Sequence, residues 1–161
     1  MKPVKPTAGV PRAAGKSVAI VSARFYADLA DWLEDGAQRG LEACGVAADH
    51  RTLVRVPGCF ELPLAARRVI ETERYDAVVA LGVIVRGETP HFDFVATECA
   101  RGIMAVQLAA RIPIGFGVLT ADTLEQAVER ADPARGDKGF HAAVAAAAMT
   151  LVAYNGGPLL P

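Results

Sequence analysis

The segment from Gly82 to Val95 has the sequence GVIVRGETPHFDFV. It continues the apolar run AVVALGV at Ala77–Val83, which is typical of a strand buried on both faces of a sheet. A hydroxyl residue followed by proline suits the N-cap and the first position of a helix, so Thr89 and Pro90 predict a helix from Pro90 to Ala110. The segment therefore predicts a strand, a turn and a helix in succession, which is the repeating unit of an α/β fold.

The same segment has the features of an anion-binding site. The amide N–H groups at the start of a helix can bind phosphate, and Gly87 lets the backbone approach a ligand closely. His91 lies in the first helical turn, and an imidazole titrates near neutral pH, so it can exchange protons with a substrate whose phosphate is bound nearby. The alternative is a capped surface helix with a histidine that has no chemical role.

The rest of the chain alternates between strand and helix patterns. Strands are predicted at Ser17–Ser22, Arg51–Val56, Ala77–Val83 and Ile114–Leu119, and further helices at Ala27–Cys44, Glu61–Thr72, Thr123–Arg130 and Lys138–Tyr154. Thr123 followed by Gln126 is a capping-box pattern. Helical crossovers make neighbouring strands parallel. The sequence therefore predicts a single-domain three-layer α/β/α sandwich with a four-stranded, mostly parallel sheet, covering 17–154 between a flexible N-terminal tail at 1–16 and a C-terminal tail at 155–161.

Composition narrows the class of function. The chain has 161 residues, of which 52% are apolar, and 17 basic and 18 acidic residues that are interspersed. This charge pattern gives no footprint for nucleic acid or a membrane surface and favours small-molecule partners, whereas the apolar excess suggests contacts between subunits. Cys44, Cys59 and Cys99 are widely spaced, which argues against a disulfide framework or a zinc site and fits a reducing cytoplasm.

Loops that follow strands are the candidate ligand site, because ligands bind at the carboxyl ends of the strands in such sheets. They contain aromatic and acidic residues: Arg24, Phe25 and Tyr26; Gly58, Cys59, Phe60 and Glu61; and Thr120 to Thr123. An aromatic ring can stack on a planar ligand, and a carboxylate can accept hydrogen bonds from sugar hydroxyls. Taken singly, Phe25 or Phe60 is more often a core residue, and Glu61 often only complements a helix dipole.

Three long motifs and one short motif resemble those of the 6,7-dimethyl-8-ribityllumazine synthase family. VPGCFELP at Val56–Pro63 resembles VPGAFEIP, and GVIVRGETPHFDFV at Gly82–Val95 resembles GxVIRGxTxHxDYV. FGVLTADTLEQAVERA at Phe116–Ala131 resembles FGVLTTxTxEQAxxRA, and DKG at Asp137–Gly139 resembles NKG. The motifs occur in the order and spacing of the family, between Ser17 and Leu151.

The resemblance implies a flavodoxin-like sheet and a transferase of riboflavin biosynthesis. The implied reaction condenses 5-amino-6-(D-ribitylamino)uracil with 3,4-dihydroxy-2-butanone 4-phosphate and releases phosphate and water, without a cofactor or a metal. His91 would be the proton donor and acceptor, and Phe25 would stack on the pyrimidine. Substrate contacts are also implied for Cys59, Phe60 and Glu61 (ring and ribityl chain), Val83, Ile84 and Val85 (pyrimidine pocket), Glu88, Thr89 and Arg130 (phosphate), Phe116 (closing the site from a neighbouring subunit) and Lys138 (nearby).

Family members form pentamers, some of which assemble into sixty-subunit shells, with active sites between adjacent subunits, and riboflavin synthase is a possible partner. The loop Asp132–Asp137, with Pro133, favours a bare pentamer here. Three residues depart from the family pattern: Tyr26 replaces an asparagine, Glu88 adds a negative charge beside the phosphate site, and His141 replaces an acidic residue.

Two other functions fit the same scaffold. A flavin- or lumazine-binding carrier would need the aromatic residues but not His91 together with Arg130. A flavodoxin-like FMN-binding domain would need a phosphate loop rich in Ser, Thr and Gly after the first strand, where this chain has Ala23–Tyr26.

Overall fold

The structure is a computed structural model that describes residues 9–152, and these form one four-stranded sheet and five α-helices. The strands are β1 (Val18–Ala23), β2 (Arg51–Val56), β3 (Ala77–Val85) and β4 (Ile114–Ala121). The helices are α1 (Ala27–Ala43), α2 (Leu62–Ile70), α3 (His91–Ala110), α4 (Leu124–Ala131) and α5 (Lys138–Met149). The strand order is β2-β1-β3-β4 and every pairing is parallel, so the predicted α/β fold is confirmed with a wholly parallel sheet.

Helices cover both faces of the sheet. One core joins Val79, Leu81 and Val83 of β3 to α1, α4 and α5, and the other joins Val78, Ala80 and Ile84 of the same strand to α2 and α3. Successive β3 side chains therefore alternate between two cores, as expected for a strand buried on both faces. This arrangement is the predicted three-layer sandwich.

Glycines let α1 and α5 approach closely. A Cβ at Gly40 would lie 2.8 Å from the carbonyl oxygen of Phe140, and one at Gly139 would overlap the carbonyl of Leu33. Arg39 reinforces this contact, because its guanidinium donates two 2.9 Å hydrogen bonds to the carboxylate of Asp137, just before α5. The start of α5 is thereby fixed against α1.

Several helix ends differ from the prediction. Thr89 does not cap α3: Pro90 occupies the N-cap, with a ψ of 4° that is not helical, and α3 begins at His91 without a side-chain cap. A 3-10 turn at Cys59–Glu61 delays the start of α2 to Leu62. Helix α5 ends at Met149, because Thr150, Leu151 and Val152 form tighter turns, and Tyr154 lies outside the described residues.

The predicted capping box at the start of α4 is confirmed. The N–H of Gln126 donates to Thr123 Oγ1 at 3.3 Å, and the Gln126 side chain accepts a 2.9 Å hydrogen bond from the N–H of Asp122. Strand β4 is longer than predicted and includes Thr120, which the prediction had assigned to a loop. These contacts fix the loop between β4 and α4.

The residues just before β1 pack against the domain. Ala13 is buried, and its N–H donates a 2.7 Å hydrogen bond to the carbonyl of Cys44 at the end of α1. Lys16 forms an ion pair with Asp76 at 3.2 Å. This part of the predicted N-terminal tail is thus attached to the sheet, while 1–8 and the C-terminal tail at 155–161 lie outside the described residues. Within 9–152, every helix is too short or too polar to cross a membrane.

Candidate active site

A cavity of about 600 Å³ opens at the carboxyl ends of β1, β2 and β3. We call it the strand-end cavity. It gathers residues from three loops and from the start of α3, as expected for ligand sites in parallel sheets. Nine of the thirteen predicted site residues line it: Phe25, Cys59, Phe60, Glu61, Val83, Ile84, Val85, Thr89 and His91.

The two phenylalanines that the sequence predicted for this cavity are not core residues. Phe25 is 75% exposed and Phe60 is 61% exposed, so the common packing role of a phenylalanine does not apply to either. The ring of Phe25 meets the ring of Tyr26 edge to face, with 5.2 Å between centroids. Both phenylalanine rings are therefore available to a planar ligand.

Cys59 forms part of the cavity wall as a neutral thiol. Its Sγ donates to the carbonyl of Val83 at 3.7 Å, and a Cβ at Gly82 would lie only 2.5 Å from this sulfur. Burial, with a smaller contribution from nearby Cys99, raises the pKa of Cys59 to about 12. A thiol with this pKa is not a nucleophile at neutral pH, so the side chain packs and the polar contribution of this position comes from its backbone.

The segment between β3 and α3 is exposed at the mouth of the cavity. Gly87 and Thr89 line the cavity, and His91 follows as the first residue of the twenty-residue helix α3. The positive end of the helix dipole and its free N–H groups therefore face this space. Glu88 is exposed and does not line the cavity, so its carboxylate can remain in solvent.

Some lining residues were missed by the sequence prediction. Phe92, Phe94 and Val95 also line the cavity. All three belong to the first turns of the helix that carries His91, and this proximity is the signal that would have identified them. Val95 is partly buried and also lines the cavity.

Three of the four remaining predicted residues form a second group. Phe116, Arg130 and Lys138, together with His141, line a cavity of about 380 Å³ beside β4, α4 and α5, which we call the β4-edge cavity. Arg130 Nη1 donates to the carbonyl of Gln126 at 3.1 Å. Strand β4 is at the edge of the sheet, and the two cavities have no lining residue in common. Within one chain, His91 and Arg130 therefore lie in different cavities.

The chemistry of the strand-end cavity is that of a binding site with one proton-transfer group. Exposed aromatic rings can bind a planar ring, the carboxylate of Glu61 can bind hydroxyl groups, and N–H groups at the start of α3 can bind an anion. His91 can exchange protons with such a ligand. Among residues 9–152, no group of three or more His, Cys, Asp or Glu side chains is placed to hold a metal ion.

A sequence model of the family described as 6,7-dimethyl-8-ribityllumazine synthase matches residues 15–153. The chain belongs to the 6,7-dimethyl-8-ribityllumazine synthase family. The match covers most of the chain, and it assigns a lumazine synthase function in riboflavin biosynthesis, a transferase activity and small-molecule substrates. The strand-end cavity is thus the candidate active site of a lumazine synthase.

Proposed function

We propose that this lumazine synthase condenses 5-amino-6-(D-ribitylamino)uracil with 3,4-dihydroxy-2-butanone 4-phosphate in the strand-end cavity. The observation that carries this proposal is that residues from two separate sequence motifs and from the loop after β1 converge on one cavity at the carboxyl ends of the strands. Phe25 stacks on the pyrimidine, because its ring is largely exposed at the cavity wall. Backbone groups of Val83, Ile84 and Val85 bind the edge of the pyrimidine.

The ribityl chain lies beside the loop between β2 and α2. Phe60 provides an apolar surface there, the carboxylate of Glu61 accepts hydrogen bonds from hydroxyl groups, and the backbone of Cys59 contributes a polar contact. The loop is compact, since the N–H of Glu61 donates to the carbonyl of Gly58 at 3.3 Å. It therefore presents these groups from a defined turn.

The phosphate is bound by the segment that leads into α3. The N–H groups of Glu88 and Thr89 and the positive end of the α3 dipole supply donors and partial charge, and Arg130 adds a full positive charge. Because Arg130 lies in the β4-edge cavity of its own chain, we propose that it acts in the strand-end cavity of a neighbouring copy, with Phe116 and Lys138 beside it.

His91 moves protons during the reaction. The amine adds to the ketone and water leaves to give an imine, phosphate is eliminated, and the second nitrogen closes the ring with loss of water. Each step transfers a proton to or from oxygen, carbon or nitrogen. A histidine at the phosphate end of the cavity can serve several of these steps, because an imidazole can both donate and accept a proton.

We also propose a homopentamer as the functional unit, with the sixty-subunit shell as the alternative. Exposed apolar side chains on α3, at Phe94, Met104 and Leu108, are suited to an interface between copies. Sedimentation of the purified protein tests this assignment: a particle of about five subunits supports it, and a particle near a megadalton or a monomer contradicts it. A cytoplasmic location, supported by the buried thiols of all three cysteines, is part of the same proposal.

The catalytic proposal is tested by following lumazine formation from the two substrates by absorbance. We expect His91→Ala to lower kcat by about tenfold to a hundredfold, towards the low end of general acid–base contributions, because the uncatalysed condensation is already feasible. The KM values should change little. A His91→Ala enzyme with unchanged kcat would exclude this histidine from proton transfer, and a wild-type rate equal to that of buffer would exclude the enzyme function.

A further inference from the structure

Arg86 lies between two residues of the strand-end cavity but does not line it. Val85 precedes it, Gly87 follows it, and both line the cavity. The backbone N–H of Arg86 donates to the carbonyl of Ala121 at 2.9 Å, which continues the hydrogen bonding between β3 and β4. The position of its side chain is therefore set by the sheet, and the guanidinium contacts protein groups rather than the cavity.

The guanidinium is bound to the first turn of α3. Its two terminal nitrogens donate to the two carboxylate oxygens of Asp93 at 3.1 and 3.2 Å, and the guanidinium carbon lies 4.1 Å from the centre of the Phe92 ring. The bidentate pair with Asp93, called the fork below, and the contact with the Phe92 ring together restrict the position and the orientation of this turn relative to Arg86. His91 is adjacent to Phe92, so its backbone is fixed by the same contacts.

The start of α3 needs such external contacts. Pro90 occupies the N-cap and has no side-chain oxygen that could accept a hydrogen bond from the first N–H groups, so the helix lacks a side-chain cap. Asp93 is the acidic residue of the first turn, where a carboxylate favours the helix dipole. Its pairing with Arg86 therefore holds the helix end that an N-cap side chain would otherwise order.

A third contact joins this turn to the loop before α4. The Nε of Arg86 donates to Asp122 Oδ1 at 2.9 Å, and Asp122 is itself held through its N–H by the side chain of Gln126. The hydrogen bonds that Arg86 donates to Asp93 and, to a smaller extent, to Asp122 raise the pKa of Arg86, so its charge is permanent. Exposed ion pairs add little stability, and we assign this network to orientation rather than to folding.

We propose that Arg86 is a positioning residue that orients His91 for proton transfer. The inference rests on the proposed role of His91, and it assigns Arg86 no contact with either substrate. All three of its contacts are with the protein, and two of them, to Phe92 and Asp93, are with the residues that directly follow His91 in the first turn of α3. Removal of the paired hydrogen bonds from Arg86 to Asp93 should therefore lower the rate of proton transfer and leave substrate binding intact.

A double-mutant cycle tests the inference. Arg86→Met keeps much of the aliphatic stem and removes the fork, and kcat is measured at saturation with both substrates for wild type, Arg86→Met, His91→Ala and the double variant. We expect Arg86→Met to lower kcat by about three- to tenfold in the wild-type background and by less than about twofold in the His91→Ala background, because contacts that act through one residue are not additive. Both KM values should change by less than about twofold.

Two matched variants complete the experiment. Arg67 forms an ion pair with Glu71 at 2.8 Å on the surface of α2, so Arg67→Met removes a similar pair away from the cavity and should leave kcat unchanged. Arg86→Lys keeps the charge but loses the forked geometry, and we expect most of the loss seen with Arg86→Met.

Equal losses in both backgrounds would overturn the positioning role, and so would a selective increase in the KM of the phosphate substrate, which would indicate a direct contact. If Arg86→Met does not fold, the same cycle with Asp93→Asn decides by the same criterion. An unchanged kcat in His91→Ala alone would instead refute the proposed function of His91. This single variant is therefore measured before the double variant.

Discussion

Mixing two defective variants tests whether each active site is shared between copies. His91→Ala removes the proposed proton-transfer group from the strand-end cavity, and Arg130→Ala removes one of the two cations, Arg130 and Lys138, that line the β4-edge cavity. Arg130→Ala should lower kcat/KM for the phosphate substrate by about tenfold to a hundredfold, the effect of losing a charged hydrogen bond. Each variant alone should therefore retain about a tenth to a hundredth of the wild-type rate when the phosphate substrate is kept below its KM.

The expected recovery follows from the geometry. The two cavities of one chain have no lining residue in common, so a complete site would combine the strand-end cavity of one copy with the β4-edge cavity of the next. In a ring assembled at random from equal amounts of the two variants, about a quarter of the interfaces then combine an intact His91 with an intact Arg130. The mixed rings should show about a quarter of the wild-type rate, well above either parent.

The assay uses two affinity tags, one on each variant, co-expression of both chains, and purification on both tags in succession. Rates are compared per subunit at the same low concentration of phosphate substrate. His91→Ala chains carrying both tags provide the matched control, and these rings should remain at the rate of the parent variant. If doubly tagged rings of the two different variants show no gain over their parents, His91 and Arg130 do not meet across an interface and the shared site is refuted.

Two further predictions concern packing and pH. Gly82→Ala should lower the stability by about 1–3 kcal/mol, because its Cβ would lie 2.5 Å from Cys59 Sγ in a filled core, whereas Gly87→Ala, with no atom within 4 Å, should leave the melting temperature unchanged. Burial acts to raise the pKa of Glu34, but the hydrogen bond and charge of Arg55 and the charge of Arg24 outweigh it and lower the pKa below its ordinary value of 4.5. The ionised Glu34 carboxylate therefore stabilises the fold above pH 4.5, and this stabilisation is lost as the pH falls through the lowered pKa. The stability advantage of wild type over Glu34→Gln, measured by unfolding in urea, should shrink on acidification. An advantage that is constant between pH 7 and pH 3 would contradict the assignment.

Hydrophobic periodicity predicted the fold well because each element has one dominant burial pattern. The run AVVALGV becomes the central strand β3, which is buried on both faces, and the spaced apolar residues of α1 form its buried side. Helix boundaries were less predictable. The Thr89-Pro90 pair has the local signature of a capped start, yet Pro90 occupies the N-cap of α3, and Arg86 contacts the first turn from outside the helix.

The sequence predicted the site residues that lie in exposed loops at the carboxyl ends of the strands. Phe25 and Phe60 follow β1 and β2 directly, so the position of the loops brings them to one cavity. The contacts of Arg86 were not predictable, since its partners Asp93 and Asp122 are seven and thirty-six positions away and only the folded sheet brings them together. A single sequence carries no signal for such a pairing between surface charges.

The separation of the site residues into two cavities follows the order of the motifs. VPGCFELP at Val56–Pro63 and GVIVRGETPHFDFV at Gly82–Val95 supply the strand-end cavity, whereas the third motif, from Phe116 to Ala131, supplies the β4-edge cavity. The strand order places β4 at one edge of the sheet, with β3 between it and β1 and β2. We propose that a motif on this outer strand completes the strand-end cavity of a neighbouring copy rather than its own. For this reason substitutions in the third motif should impair the active site of the adjacent copy, while those in the first two impair their own.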